Sequence, residues 1–250
     1  MLGIVHVPEK AEQNRPVVVM CYGFNGNRVD NNRIAVTFGT RAAQNGIAVW
    51  RYDYMGLGIS GGNFIDMTAD TKKEDIKKVL SFLHGCMAGA EYKLYIIGFS
   101  DGIRMVSRLL QDGLEPEGIV LWSPIFYINA KYVEQKKRRR LIRDPESGKI
   151  AFPFSGLFVN PETIREQTSN FDDYGFICKS KASKLCVFGR DDPATLAVAN
   201  EVMQSGSEVF DAEVHTIDEA DHLYSRERWT DELIDTTICW ILKNSATKES

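Results

Sequence analysis

The sequence predicts an α/β fold in which a mostly parallel sheet of about seven strands is covered by helices on both faces. Short apolar runs rich in Val and Ile alternate along the chain with longer stretches of helical periodicity. Because the apolar runs are nearly continuous, we expect both faces of the sheet to be buried. The 250 residues are enough for one large domain, and we expect a single domain over residues 1–250.

The predicted elements follow one another in a regular order. Strands are expected at residues 3–7, 16–22, 47–52, 93–98, 118–122, 184–188 and 212–217. Helices are expected at residues 32–45, 69–83, 103–111, 195–204 and 229–243. A short polar turn without a helix joins the first two strands, so we expect the first strand to be an antiparallel edge strand.

Residues 126–180 interrupt this alternation, because no clear sheet strand is found there. A long insert at the end of the sheet where catalytic loops lie predicts a lid or cap. The insert contains a basic run at residues 136–140 (Lys-Lys-Arg-Arg-Arg). We favour the solvated face of a helix for this run over a site for an anionic substrate or carrier.

Composition excludes several classes of function. The net charge of −4 does not favour nucleic acid as a partner. No apolar run approaches the ~20 residues that span a bilayer, and residues 1–7 lack the features of a signal peptide. The five cysteines show no C-x-x-C spacing. We therefore expect a cytoplasmic protein that binds neither membrane nor structural metal.

The most informative motif is Gly-Phe-Ser-Asp-Gly at residues 98–102. It lies between a predicted strand and a predicted helix, which is the context of a nucleophile elbow. Such a tight turn needs glycines, because a side chain at Gly98 or Gly102 would crowd neighbouring elements. Ser100 is therefore the predicted nucleophile.

A serine nucleophile needs a general base and an acid that orients it. Of four histidines, His222 follows the last predicted strand in a loop that can bring its ring over Ser100. The predicted acid is Asp192, three residues after Gly189 and directly before a proline that opens the next helix. Asp191 is the alternative acid.

Acyl transfer also needs donors for the oxyanion that develops on the substrate. One predicted donor is the backbone N–H of Asp101, the residue after the nucleophile. The second is the backbone N–H of Phe24, in the glycine-rich loop after the second strand.

Together these features resemble the α/β-hydrolase superfamily, over nearly the whole chain. The order Ser100, Asp192, His222 is the order of that superfamily. Residues 22–26 (Tyr-Gly-Phe-Asn-Gly) resemble the His-Gly-Phe oxyanion loop of small bacterial feruloyl (cinnamoyl) esterases. Residues 51–62 resemble the R-x-D-x-x-G-x-G-x-S-x-G stretch of those esterases, and residues 64–68 extend the likeness. The resemblance implies hydrolysis of carboxylic esters under a small lid, without a cofactor.

Three features depart from the pattern of that family. Tyr22 replaces the usual histidine, although the donor in this loop is a backbone group. Asp101 stands where glutamine or methionine is typical, which places a carboxylate near the site. Ile103 and Arg104 replace small residues at the start of the helix.

The sequence thus predicts a serine hydrolase that cleaves a small-molecule ester or thioester through an acyl-enzyme. One alternative is an acyltransferase that uses the same triad, with a coenzyme A or acyl carrier protein thioester as donor. The other is an inactive hydrolase-like protein that only binds a ligand.

Five aromatic residues of the insert are expected to line the substrate pocket, and a role in the hydrophobic core is the alternative for each. They are Phe126, Tyr127, Phe152, Phe154 and Phe158.

Overall fold

The computed structural model describes residues 1–10, 14–125, 141–167, 173–196 and 211–246. Its strands are β1 (Gly3–His6), β2 (Arg15–Cys21), β3 (Ala48–Tyr52), β4 (Tyr92–Phe99), β5 (Gly118–Trp122), β6 (Ile142–Arg143), β7 (Ile150–Phe154), β8 (Leu157–Val159), β9 (Ser183–Gly189) and β10 (Glu213–Ile217). Its α-helices are α1 (Ile34–Gln44), α2 (Ala69–Cys86), α3 (Gly102–Gln111), α4 (Pro161–Gln167), α5 (Asp173–Lys179) and α6 (Glu227–Ala246).

Within the described ranges, seven strands form the main sheet in the order β1-β3-β2-β4-β5-β9-β10. Strand β1 lies at the edge and pairs antiparallel with β3, with Gly3 opposite Tyr52, whereas the other pairs are parallel. The predicted strand count and the antiparallel edge strand are confirmed. Strand β1 pairs with β3 and not with β2, the next strand along the chain. The crossover through α1 places β3 beside β2, so β3 lies between β2 and β1 in the sheet.

Helices cover the sheet on both faces. The connection through α1 runs towards the β1 edge, whereas those through α2 and α3 run towards the β10 edge. Right-handed crossovers in opposite directions place their helices on opposite faces. Accordingly, α1 packs against α6, while α2 and α5 pack against α3. The predicted α/β architecture is therefore confirmed.

The insert contains secondary structure that periodicity did not predict. Strands β6, β7 and β8 form a small antiparallel sheet, and α4 and α5 follow it. Strands β6 and β8 have two and three residues, too few to show a hydrophobic period. The sequence signal for this hairpin is the Ser155-Gly156 pair at the turn between β7 and β8. Both residues adopt positive φ, at 49° and 80°, as a two-residue hairpin turn requires. That the insert acts as a lid stays a prediction.

Two other predicted features fall in the parts of the chain outside the described ranges. The basic run at residues 136–140 lies outside the described residues, and so does most of the helix predicted at residues 195–204. None of the helices within the described ranges has the length and apolarity needed to cross a bilayer.

Candidate active site

Ser100 occupies a sharp turn between β4 and α3. Its φ of 55° lies in a region that non-glycine residues rarely adopt. A Cβ atom at Gly98 would lie 2.8 Å from Ile103 Cγ1, and one at Gly102 would overlap the carbonyl oxygens of Cys21 and Tyr22. Both glycines are therefore required by close packing, as the motif predicts.

The turn places Ser100 at the N-terminus of α3. The first hydrogen bonds of this helix run from Ile103 N–H to Ser100 O (3.3 Å) and from Arg104 N–H to Asp101 O (3.1 Å). The backbone N–H of Asp101 thus precedes the hydrogen-bonded part of the helix. Helix N-termini favour negative charge, so this end of α3 suits an oxyanion.

Three predicted residues lie in one hydrogen-bonded chain. His222 Nε2 lies 2.8 Å from Ser100 Oγ, and His222 Nδ1 lies 2.7 Å from Asp192 Oδ2. The three residues follow the carboxyl ends of β4, β9 and β10, which meet at the same edge of the sheet. The arrangement has the geometry of a nucleophile, a base and an orienting acid.

The Asp192 side chain is held in a buried position. The residue is 1 % exposed, and its carboxylate also accepts hydrogen bonds from Ala194 N–H (2.9 Å) and Thr195 Oγ1 (2.6 Å). Burial acts to raise the pKa of Asp192, but the hydrogen bonds from His222 and Thr195 outweigh it and leave this pKa below its usual value. Asp191, the alternative acid, is exposed, so the structure places Asp192 and not Asp191 against the imidazole.

The His222 ring is packed by the end of β4, and its loop is held by hydrogen bonds. The Phe99 ring stacks on the imidazole, with centroids 6.1 Å apart and 28° between the planes. Buried Tyr224 donates to Val187 O (3.0 Å) and accepts from Ser123 Oγ (2.9 Å). These contacts tie the loop after β10 to the ends of β5 and β9.

The loop after β2 lies directly beside the serine. A Cβ atom placed on Gly23 would lie 3.4 Å from Ser100 Cβ and 3.8 Å from Ser100 Oγ, both ordinary van der Waals distances, so the backbone of this loop runs alongside the serine side chain. The next residue is Phe24, the predicted second oxyanion donor. Its ring packs edge-on against Phe64 and Phe154, at centroid distances of 5.7 Å and 5.5 Å.

The predicted substrate-binding aromatics take different places. In the β7–β8 pair, Phe154 lies opposite Leu157, and Pro153 lies opposite Phe158. Because successive residues of a strand point to opposite faces, Phe152 shares a face with Phe154, whereas Phe158 lies on the other face. Among the predicted aromatics that the structure describes, Phe154 is the one whose ring packs against Phe24. The predicted residues Phe126 and Tyr127 lie outside the described residues.

The R-x-D-x-x-G-x-G stretch supports the loops around the site. Asp53 is fully buried, forms an ion pair with Arg28 and accepts hydrogen bonds from the N–H groups of Arg28 (3.0 Å) and Ile59 (2.9 Å). A Cβ atom at Gly58 would overlap the Asp53 carboxylate. The motif therefore joins the turn at residues 56–62 to the loop after β2.

Sequence reasoning missed Lys72, which contacts the loop that contains Phe24. Its ammonium donates to Gly23 O (3.0 Å) and to Phe24 O (2.9 Å). Burial lowers the pKa of Lys72, while the Asp101 carboxylate acts to raise it. A signal was present, because Lys72 lies three residues after Ala69 and four before Ile76, on the buried face of α2.

Asp30 is a second buried ionisable group near the loop after β2. Its Oδ1 accepts from Asn31 N–H (2.7 Å), and its Oδ2 is buried without a partner among the described residues. Burial raises the pKa of Asp30 from its usual 3.8 to about 6, against the effects of the Asn31 N–H and the Lys72 charge.

We expect Asp30→Asn to stabilise the protein at neutral pH but not in acid. The folded state holds the Asp30 proton more tightly than the unfolded state, so the wild type loses stability as pH rises from about 4 to 6. The variant avoids this loss. Its free energy of unfolding in urea should exceed that of the wild type by up to about 3 kcal/mol at pH 7, and the difference should vanish near pH 4. An equal difference at both pH values, or exposed Asp235→Asn giving the same profile, would contradict this.

Comparisons with known proteins identify the family. The model of the serine aminopeptidase S33 family (Hydrolase_4) matches residues 12–151, which include the loop after β2, the elbow and part of the insert. The chain belongs to this family. It is therefore a member of a serine hydrolase family, with the α/β-hydrolase fold. A search of curated proteins gave no match for this S33 family member.

Solved structures agree with the fold of this S33 family member. Est1E from Butyrivibrio proteoclasticus, solved with ferulic acid bound, superposes with a TM-score of 0.76 at 20% identity, covering 98% of this chain and 96% of Est1E. A monoacylglycerol lipase from Paleococcus ferrophilus has a TM-score of 0.69 at 16% identity, covering 97% and 98% of the two chains. XC6422 from Xanthomonas campestris, described as a serine hydrolase without lid, has a TM-score of 0.61 at 15% identity, covering 99% of this chain and 90% of XC6422.

Among the described residues, His, Cys, Asp and Glu side chains form no group of three suited to a metal ion.

Proposed function

We propose that this protein is a carboxylic ester hydrolase that forms an acyl-enzyme on Ser100. The observation that carries the proposal is the continuous chain from Ser100 Oγ through His222 to the buried carboxylate of Asp192. The position of Ser100 beside the N-terminus of α3 and the loop after β2 supports the same chemistry.

The chemistry follows from the protonation states of the three side chains. Asp192, with its low pKa, is ionised at neutral pH and can only accept hydrogen bonds. It therefore favours the imidazole tautomer that carries hydrogen on Nδ1, which leaves the Nε2 lone pair facing Ser100 Oγ. As Oγ attacks the acyl carbon, Nε2 takes its proton, and Asp192 stabilises the imidazolium.

The remaining steps use the same groups. The backbone N–H groups of Phe24 and Asp101 bind the oxyanion of the tetrahedral intermediate. His222 then returns the proton to the leaving alcohol or thiol, and the acyl group stays on Ser100. Water gives a proton to His222 and attacks the acyl carbon. His222 then passes this proton to Ser100 Oγ as the bond between Oγ and the acyl carbon breaks, which releases the acid and restores Ser100.

An ester with an apolar group fits the surroundings of Ser100 best. The rings of Phe24, Phe64 and Phe154 pack together beside the predicted oxyanion donor, and apolar walls of this kind are typical of ligand pockets. Est1E was solved with ferulic acid, and another structural neighbour is a monoacylglycerol lipase. These names support a small-molecule ester or thioester as the substrate, although the family is named for a serine aminopeptidase.

A substrate panel tests the proposal. It contains p-nitrophenyl acetate and butyrate, methyl ferulate, an acyl coenzyme A thioester and an aminoacyl p-nitroanilide. We expect steady turnover of at least one oxygen ester or thioester in buffer alone. Turnover of the anilide alone would replace this proposal with aminopeptidase activity. A single burst that resumes only when an alcohol, thiol or amine is added would establish the acyltransferase alternative, and no reaction with any compound would favour the inactive alternative.

The two alternatives have less support than the proposal. The acyltransferase alternative depends on a carrier protein or coenzyme A, for which the basic run at residues 136–140 is the candidate contact, outside the described residues. The inactive alternative requires a disabled elbow, whereas Ser100 lies at hydrogen-bond distance from His222. Ester hydrolysis therefore remains our proposal.

A further inference from the structure

Lys72 contacts both residues that carry the predicted oxyanion donors. It is 3 % exposed, and its Nζ atom donates to Gly23 O (3.0 Å) and Phe24 O (2.9 Å). On the other side, Nζ lies 3.9 Å from Asp101 Oδ2. It also lies 5.0 Å from the centroid of the Tyr54 ring, a cation–π distance. A charged, buried ammonium thus contacts both segments that would bind the oxyanion.

The hydrogen bond from Lys72 to Gly23 O bears on the reaction because it is made to the Gly23–Phe24 peptide group. Its carbonyl oxygen belongs to Gly23 and accepts from Lys72, whereas its N–H belongs to Phe24 and is the predicted oxyanion donor. A trans peptide is planar, so its C=O and N–H point in opposite directions. Holding the carbonyl on Lys72 therefore fixes the direction of the N–H. A charged donor on the carbonyl also polarises the peptide and strengthens its N–H as a donor.

We propose that Lys72 is a positioning residue of the oxyanion site, which orients and polarises the Gly23–Phe24 peptide and offsets the charge of Asp101. This inference rests on the proposed ester hydrolysis. It also accounts for Asp101, whose carboxylate follows the nucleophile directly and would otherwise oppose the negative charge that develops on the substrate.

The first turn of α2 is fixed well enough for Lys72 to have this role. Thr68 and Thr71 form a reciprocal capping box at its start. Glu166 of α4 accepts a hydrogen bond from Ala69 N–H (2.8 Å), and Thr163 Oγ1 donates to Met67 O (2.7 Å). The insert therefore holds the start of the helix that carries Lys72.

The first test is Lys72→Met, which keeps a long apolar side chain without its charge. We expect kcat for the best ester of the panel to fall about 10- to 100-fold, less than the 10²- to 10³-fold loss on removing a whole oxyanion donor. KM should stay within about threefold, because the carbonyl of the bound ester gains most of its charge in the transition state. The matched control is Lys73→Met, the next residue of α2, which pairs with Asp112 and should leave kcat unchanged.

Two further measurements separate positioning from loss of structure. Adding Asp101→Asn to Lys72→Met removes the carboxylate charge that Lys72 no longer offsets, so the double variant should recover at least about threefold in kcat. In ¹H–¹⁵N spectra, Lys72→Met should shift the Phe24 amide while leaving resonances of β5 and β9 in place. If the single variant is unstable, the double variant supplies the same amide measurement.

The outcomes distinguish this inference from the proposed function. Unchanged kcat in Lys72→Met, or an unmoved Phe24 amide, would overturn the role of Lys72 and leave ester hydrolysis standing. Failure of the double variant to recover activity would overturn the charge-offsetting role. If the wild type hydrolyses no ester, the proposed function fails, and the Phe24 amide still decides whether Lys72 holds the peptide.

Discussion

Ser100→Ala should lower kcat for the best ester substrate by about 10⁶-fold, the loss that follows removal of a nucleophile from a triad enzyme. Ser100 is the hydroxyl that lies at hydrogen-bond distance from His222, so without it binding and the oxyanion donors would still assist a direct attack by water. The measurement is steady-state hydrolysis at enzyme concentrations high enough to detect the residual rate.

Ser107→Ala is a matched control for this loss. Ser107 is a buried serine of α3, seven residues after Ser100, and its Oγ has no hydrogen-bond partner among the described residues. The control should keep kcat within about twofold. If Ser100→Ala keeps more than a few per cent of wild-type activity, Ser100 is not the nucleophile.

Asp192→Asn should lower kcat by about 10⁴-fold with little change in KM. An asparagine amide can donate to Nδ1, which favours the tautomer that carries hydrogen on Nε2. That tautomer cannot accept the Ser100 proton. Loss of the carboxylate also removes the charge that stabilises the imidazolium during attack.

The adjacent Asp191→Asn variant makes this prediction specific. Asp191 is exposed, so its substitution should change kcat by less than about threefold. Both variants should be compared by pH–rate profiles and thermal unfolding, since Asp192 also holds Ala194 N–H and Thr195. A large loss in Asp191→Asn with little loss in Asp192→Asn would exchange the two aspartates in the mechanism.

The main sheet could be predicted because its strands carry a local signal. The β5 bounds, Gly118–Trp122, agree with the prediction. Each of the other main-sheet strands differs from its predicted bounds by one residue, at one end or at both ends. The small sheet of the insert was missed because β6 and β8 have two and three residues, too few to show a period. The partner of β1 depends on the crossover through α1, which is a property of the whole fold.

For the site, too, residues with a local sequence signal could be predicted, whereas those that depend on distant contacts could not. Ser100, Asp192 and His222 each follow a strand, and parallel strands bring such positions to one edge of the sheet. Their catalytic roles stay predictions. The position of Phe158 on the far face of the small sheet depends on strand pairing that was not predicted. Lys72 was missed because its partners, Gly23 and Phe24, lie almost fifty residues away and accept through backbone carbonyls.

Asp101 and Lys72 lie next to each other in the structure. Asp101 is unusual for the family resembled, and Lys72 is the buried cation that lies beside it. A carboxylate next to a nucleophile is compatible with acyl transfer when a nearby cation offsets its charge. The pair therefore gives a physical reason why Asp101 need not disable the elbow.

The most direct test of the central claim is covalent labelling of the wild type with a fluorophosphonate, followed by intact mass measurement and peptide mapping. Such a probe reacts with an activated serine and not with an ordinary hydroxyl. We predict one adduct per chain, located on Ser100, that disappears in Ser100→Ala and forms far more slowly in Asp192→Asn. The absence of an adduct in the folded wild type, or an adduct on another residue, would contradict the assignment of Ser100 as the nucleophile.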